Sequence, residues 1–521
     1  MNVAERKALH STIWKIADEL RGSVDGWDFK QYVLGVLFYR FISESLESYI
    51  NEAEGAGFAY AELSDDKAKD AKDEIVRQKG FFILPSELFS NIIKNLDKHE
   101  ENINEILKSV FKNIENSAKN KASAEDIKGL FDDIDLNSNR LGANTLARNK
   151  NISKVLKAIN DIDFASYGDT INDIAGDAYE YLMSMYASNA GKSGGEFFTP
   201  ASVSELLAHL VLNGAKDYKS ATIYDPACGS GSLLIKAHKQ AQSKGIKAQM
   251  HGQELNITTY NLCRINMFLH NVGYENFSIT NGDTLTEPKF MRADDSAIKL
   301  DIKEFSADFV VSNPPYSTSW EGDNSEVLVA DPRYSPAGKL APKSYSDLAF
   351  IMHSLYLLKD TGAIVCFPGI MYRGGAEKTI REYMLKNNFI DCVIALPENL
   401  FFGTSIATCI MVLKKNKNDE NILFINASGI FEKEPNNNIL SEANIASILE
   451  LYTKRQSNEI CALIPNEQVL ENSANLSPSA YLATTKAEIL DINEINTELK
   501  SCLDEQKILR EKIEQILKEL E

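Results

Sequence analysis

Hydrophobic positions change their period twice along this chain. Up to residue 165 they recur at helical spacing. Leu9, Ile13, Ile16 and Leu20 share one face, and "QYVLGVLFYRFISESLE" follows the turn-like "GSVDGWD". Charged and Asn-rich connections separate the later apolar clusters, which predicts an N-terminal helical domain over 1–165. From 166 to 475, short β-branched runs alternate with helical patterns. "ATIYD", "DFVVSN", "GAIVCFP", "DCVIALP" and "TCIMVLKK" read as strands of a parallel sheet flanked by helices. The remainder, 476–521, reads as a C-terminal helical tail. Ile492, Ile495, Leu499, Cys502, Gln506, Leu509, Ile513, Ile516 and Leu520 fall on the a and d positions of a heptad. Such a seam needs a partner helix, in its own chain or in another.

Composition sets outer limits. Hydrophobic residues make up 44% and charged residues 25%, ordinary for a soluble globular protein. The opening "MNVAERKALHSTIWK" holds no apolar core of a signal peptide, and no apolar run approaches membrane-spanning length. The seven cysteines are scattered without a CxxC pair, so neither a metal site nor a disulfide framework is expected, and a reducing cytoplasmic setting fits. A formal net charge of −19 opposes DNA gripping by this chain alone, because phosphates call for Lys and Arg. A local basic groove or a basic partner must then supply them.

Two motif imitations fall away. "DDIDLNSNRLG" resembles a calcium loop, but it lacks the Gly expected after Asn137, and position twelve from Asp133 is Asn144 rather than Glu. "AGKSGG" resembles part of a phosphate loop, yet Tyr186 stands where the first Gly is required.

The informative stretch is "IYDPACGSGSLLIKA", a strand, a glycine turn and a helix. Gly229 and Gly231 let the backbone approach a ligand closely, and the helix start presents free N–H groups. Asp225, at the strand's end, suits a ligand's ammonium group. Glu254, in "HGQELN", falls where the next strand should end and can accept both hydroxyls of a ribose. Asp283, in "TNGDTL", can accept from an adenine amino group. Each acid alone is usually a solvated loop residue. In order after one glycine turn, they point to a nucleoside ligand. The turn is "GSG" rather than G-x-G-x-x-G, which disfavours a dehydrogenase, and an ammonium site beside an adenosine site fits S-adenosylmethionine.

"SNPPYS" then explains itself. Pro314 and Pro315 end the strand "DFVV" and place Asn313 and Tyr316 at its carboxyl end. An exocyclic amine on a nucleobase is a poor nucleophile because its lone pair is delocalised into the ring. The Asn313 side-chain oxygen and the Pro314 carbonyl can accept its two hydrogens and localise that pair. Tyr316 offers a face for a base rotated out of the duplex.

"DPACGSG", "NPPY" and "GGEFFTP" together resemble the motifs of amino-directed DNA methyltransferases, in the gamma order, with "GGEFFTP" ahead of the glycine turn. More narrowly the chain resembles modification subunits of type I restriction-modification systems. That likeness includes "DAYEYLMSMYA", "KSYSDLAFIMHSLYLL", "YRGGAEKTIREYML" and "LPENLFFGTSIATCIMVLKK". The resemblance implies a Rossmann-like S-adenosylmethionine-dependent methyltransferase core over 166–475. It implies that Gly195, Glu196, Phe197, Phe198, Thr199 and Pro200 line the cofactor pocket, with Phe198 and Thr199 near the methionine end. Asp225, Gly229, Ser230 and Gly231 would hold the methionine portion, Glu254 the ribose and Asp283 the adenine. Asn313, Pro314, Pro315 and Tyr316 would hold the target adenine in double-stranded DNA. Two such subunits join one specificity subunit in the family, and a further subunit supplies the motor and nuclease.

Other readings stay beside this one: cytosine-N4 transfer, glutamine methylation in a protein, and a non-catalytic scaffold. Cytosine-C5 chemistry needs a Pro-Cys nucleophile, and no such dipeptide occurs. The long segment from Ser317 to Lys343 is expected to be a mobile loop that closes over the flipped base. The heptad tail is expected to meet helices of the specificity subunit.

Overall fold

The computed structural model describes residues 8–13, 29–164, 174, 176–183 and 199–482, apart from 293–294, 296–297, 402–404 and 435–436, together with 500, 506–507 and 509–510. Residues 29–164 form helices around one long central helix, α1 (Phe29–Glu54). From Tyr32 to Ile42 nearly every side chain of α1 is buried, so it runs through the interior rather than along a surface. Helix α2 (Ile103–Ser117) is amphipathic and buries Ile103, Leu107, Val110, Phe111 and Ile114. Helix α3 (Thr145–Asn160) starts at Asn144, whose side chain accepts from the Ala147 N–H. Buried Arg40 of α1 donates to the carbonyls of Ile159, Asn160 and Ile162, satisfying the end of α3.

The second region opens with α4 (Ala201–Val211), then β1 (Ser220–Asp225), α5 (Ser232–Ser243), β2 (Lys247–Glu254), α6 (Ile257–Leu269) and β3 (Phe277–Asn281). A two-residue-stranded hairpin, β4 (Phe290–Met291) with β5 (Lys299–Leu300), precedes β6 (Ala307–Ser312). Then follow α7 (Asp347–Leu357), β7 (Leu358–Cys366), α8 (Gly375–Lys386), β8 (Ile390–Ala395), β9 (Cys409–Lys414) and β10 (Asn421–Asn426). A small hairpin of β11 (Glu432–Lys433) and β12 (Asn438–Ile439), helix α9 (Glu442–Lys454) and β13 (Cys461–Pro465) complete it.

Among the described residues, nine strands form one sheet in the order β13-β10-β8-β9-β7-β6-β1-β2-β3. The expectation of a parallel sheet is corrected here: β9 runs antiparallel to both β7 and β8, and β13 runs antiparallel to β10. Alternation along the strands feeds two cores. Phe309, Val311, Ala363, Val365, Ile410 and Val412 face one side, with α4, α5, α6 and α9. Val310, Ile364, Met411, Leu413 and Phe424 face the other, with α7 and α8. Both faces are therefore covered, and functional groups are left to the strand ends.

The helical region docks on α6. Fully buried Arg264 reaches across to donate to the carbonyls of Glu125, Asp126 and Lys128. Asp133 accepts from Thr258 Oγ1 and Asn261 Nδ2, each at 3.0 Å. The segment that imitates a calcium loop is thus an interdomain clamp, its leading carboxylate spent on α6.

The segment from Ser317 to Lys343 departs from expectation. Trp320, Leu328, Tyr334, Ala337 and Ala341 are buried in the second core. Buried Arg333 donates to the carbonyls of Thr284 and Leu285, pairs with Asp331 at 2.7 Å, and meets His353 Nδ1 at 3.0 Å. Its Pro and Gly content suggested a mobile loop; its buried aromatic and arginine anchors make it a packed excursion. No helix among the described residues is long and apolar enough to cross a membrane.

Candidate active site

Strand order reverses between β1 and β6: β2 and β3 lie on one side, β7 and the rest on the other. Ligands of open α/β sheets bind at such a switch point, beyond the carboxyl ends of the strands. The residues picked from the sequence collect there. Asp225 closes β1, Glu254 closes β2, Asp283 follows β3 by two residues, and Asn313 follows β6 directly. Parallel pairing sets Asp225 opposite Gly252 and Glu254 opposite Asn281, so the acids descend in steps along one edge.

Asp225 is fully buried. Its Oδ1 accepts from the Ala227 N–H at 3.0 Å and from Ser312 Oγ at 2.8 Å, while Oδ2 has no hydrogen-bond partner among the described residues. Burial pushes its pKa up to about 7, the two hydrogen bonds working against that and the nearby Glu254 charge adding to it. A buried carboxylate with one unpaired oxygen is suited to a cationic ligand group.

The glycine turn sits on β2. The Cys228 N–H donates to the Gln253 carbonyl, and Gly229 N–H donates to Glu254 Oε2 at 3.0 Å. Gly229 and Gly231 have φ of 53° and 81°, the left-handed region in which glycine is unstrained. A Cβ on Gly231 would also meet Cys263 Sγ at 2.8 Å. Ser230 is buried, and Asn266 of α6 donates to its carbonyl at 2.9 Å. Glu254 Oε1 accepts from the Asn256 N–H at 2.8 Å, and burial raises the pKa of this acid too. The Gly229 and Asn256 bonds fall on different oxygens, which leaves the carboxylate lone pairs for a ribose hydroxyl. Asp283 Oδ1 accepts from the Leu285 N–H at 2.9 Å, and Thr284 Oγ1 ties this turn to the Pro226 carbonyl.

Asn313 and Pro314 are buried, and Pro315 and Tyr316 are half-buried. Asn313 Nδ2 donates to Thr199 Oγ1 at 3.0 Å, which brings Thr199 onto "NPPY". Pro200 starts α4, its carbonyl accepting from Val203 and Ser204. Gly195, Glu196, Phe197 and Phe198 lie outside the described residues. The Tyr316 hydroxyl donates to Asn313 Oδ1 at 2.5 Å, a contact that the sequence motif does not reveal. Next to it, Ser317 has φ of 51° and its N–H donates to Asp347 Oδ2 at 3.0 Å. Sequence reasoning also passed over Ser312 and Asp347. Ser312 carried only a local signal, since it directly precedes Asn313 at the end of an apolar strand run; its place beside β1 comes from the strand order.

Sheet order, reversed strand and edge-on acids together define a Rossmann-like methyltransferase. Residues 170–489 match the N-6 DNA Methylase family and residues 9–159 match the HsdM N-terminal domain. The methylase subunit of the type I restriction enzyme MpnII from Mycoplasma pneumoniae is 44% identical over 531 residues, covering 99% of this chain and 97% of its own. The MjaIX methylase subunit from Methanocaldococcus jannaschii is 25% identical over 97% of this chain and 90% of its own. A solved structure, the type I restriction-modification methyltransferase subunit from Streptococcus thermophilus, is 35% identical with a TM-score of 0.81, covering 92% of this chain and 99% of that one. The chain belongs to the N-6 DNA methylase family, among the methylase subunits of type I restriction enzymes.

Proposed function

We propose that this chain methylates the N6 amino group of adenine in double-stranded DNA, using S-adenosylmethionine, at a site chosen by a separate specificity subunit. The observation that supports it most is the meeting of two strand ends: Asp225 on β1 and Asn313 just past β6, neighbouring strands bridged through Ser312. Asp225 and the Gly229–Gly231 turn would hold the amino-acid end of the cofactor, Glu254 its ribose and Asp283 its adenine. The unpaired Asp225 Oδ2 fits that assignment. When bound, the cofactor supplies an electrophilic methyl group on a sulfonium. Asn313 Oδ1 and the Pro314 carbonyl accept the two hydrogens of the target amine and aim its lone pair. The Tyr316 ring stacks on the extruded base. Alignment, rather than a strong base, then carries the rate.

Gly195 to Pro200 close the pocket in this reading, and Thr199 links it to Asn313. The acidic chain works in the cytoplasm as part of an assembly: two copies with one specificity subunit, and with a motor and nuclease subunit for restriction. Within it, 1–165, 166–475 and 476–521 act as helical domain, methyltransferase and assembly tail. The tail's heptad lies almost wholly outside the described residues. Radiolabelled methyl transfer by the co-purified complex, with digestion of the DNA to nucleosides, tests the reading. N6-methyladenine should appear with the wild type and vanish with Asn313→Ala, while calorimetric cofactor affinity stays. N4-methylcytosine as the product, or full activity of Asn313→Ala, would refute it.

A further inference from the structure

Tyr372 is 60% exposed, yet the backbone that carries it is fixed from inside. It follows β7, the strand beside β6, through a single 3₁₀ turn (Pro368–Met371). Every carbonyl flanking Tyr372 in that turn is taken. Fully buried Arg381 donates to Ile370 and Arg373, the Leu476 N–H donates to Met371, and the Tyr372 and Arg373 N–H groups close on Gly369. The Arg373 side chain folds against Gly369, where a Cβ would stand 2.7 Å from the guanidinium, and lies over the Tyr345 ring at 4.3 Å. Its charge acts on Asp347, and Asp347 holds the N–H of Ser317, the residue after Tyr316. Tyr372 therefore projects into solvent from a fixed turn just past the carboxyl end of β7, the strand parallel to the one whose end carries Asn313.

We infer that Tyr372 is a second nucleobase-stacking residue, which packs on the base exposed in the duplex when the target adenine leaves it; this rests on the DNA adenine methylation proposed above. Drawing a base out of a duplex breaks its stacking on both neighbours and its pairing. An aromatic ring carried on a fixed backbone turn replaces part of that stacking with only its own side-chain torsions left to order. A leucine or lysine would cover area or phosphate, but only a flat ring matches a base face. The hydroxyl has no bonding role in this, so the ring alone should suffice.

The test is methyl transfer by the complex with its specificity subunit, on two duplexes: one with the target adenine paired, one with it opposite an abasic site. Tyr372→Ala should lower kcat/KM about tenfold or more on the paired duplex, the scale of one lost base–aromatic stack. It should lose little on the abasic duplex, where extrusion is already easy, and its cofactor affinity should be unchanged. Tyr372→Phe should match the wild type on both. Equal loss on the two duplexes, or no loss on either, would overturn the inference. So would failure of Tyr372→Ala to assemble, seen by size-exclusion chromatography, since Tyr372 would then dock protein rather than DNA. A wild-type complex that methylates no adenine would instead defeat the underlying function, and this inference with it.

Discussion

Ser312 Oγ donates to Asp225 Oδ1 at 2.8 Å between the ends of β6 and β1, with both residues buried. The bond joins the strand that leads into Asn313, the proposed catalytic amide, to the strand that ends in Asp225, the proposed cofactor acid. It also leaves Asp225 Oδ2 as the oxygen open to a ligand. Ser312→Ala removes a donor to a charged acceptor, an interaction of about 1.5–3 kcal/mol. Cofactor binding should weaken by an amount in that range, read by calorimetry, and the fold should survive. Wild-type affinity in Ser312→Ala would show that the two ends are not coupled through this bond.

With Asp225 as the proposed ammonium site, its raised pKa should make cofactor affinity depend on pH. With a pKa of about 7 in the free protein, the acid is mostly neutral at pH 6 and mostly charged at pH 8. Only the charged form attracts an ammonium group, so affinity should rise roughly tenfold between those values, with proton release on binding below pH 7. Stability of the free protein runs the other way. A carboxyl whose folded pKa lies above its unfolded value contributes stability that is complete below pH about 4 and is lost as pH rises through 7. Asp225→Asn should flatten both profiles, measured by calorimetry and by thermal melts.

Glu254 has a backbone role that the sequence does not reveal. Besides its expected ribose contact, it accepts from the N–H groups of Gly229 and Asn256. Glu254→Ala should therefore weaken cofactor binding by at least the ~1.5–3 kcal/mol of a charged hydrogen bond. Glu254→Gln should not restore it, because an amide nitrogen placed against either backbone N–H sets donor against donor. Recovery of affinity in Glu254→Gln would remove the backbone role.

Tyr316 separates ring from hydroxyl. Its O–H donates to the same Asn313 oxygen that is proposed to accept from the target amine. Tyr316→Phe keeps the stacking face and loses one hydrogen bond, on the order of 1 kcal/mol, so methyl transfer should stay within about tenfold of wild type. Tyr316→Ala loses the ring and should fall well below that. If Tyr316→Phe were as inactive as Tyr316→Ala, the hydroxyl would be essential to the reaction.

What was legible in the sequence was local. Pro314 and Pro315 end a strand wherever they occur, and the glycine turn announces its own conformation, so Asp225 and Asn313 could be placed on strand ends. That those ends are neighbours depends on strand order, which no window of residues contains. The reversed β9 reads like any other buried apolar run, because a strand covered on both faces shows no sign of its direction. β10 and β13 were passed over because "NILFIN" and "CALIP" are short and bounded by polar residues, the second ending in Pro465. Nothing in the sequence marks Arg264 or Arg333 as buried. Each is buried only because distant carbonyls converge on it.

Arg333 decides whether the segment after "NPPY" is a lid or a strut. It bonds the carbonyls of Thr284 and Leu285, the turn that carries Asp283, and pairs with Asp331, while Tyr224 and Arg333 hold opposite nitrogens of the His353 ring. Arg333→Met fills similar space but strands two buried carbonyls and Asp331. Removing one partner of such a buried pair destabilises by about 3–5 kcal/mol. We expect a lower melting temperature and new protease cleavage between residues 317 and 343. Because the same bonds set the Asp283 turn, cofactor affinity should drop as well, even though Arg333 is assigned no contact with it. The wild-type segment should resist protease equally with and without DNA, since its anchors are already made. Protection appearing only on DNA binding would restore the lid.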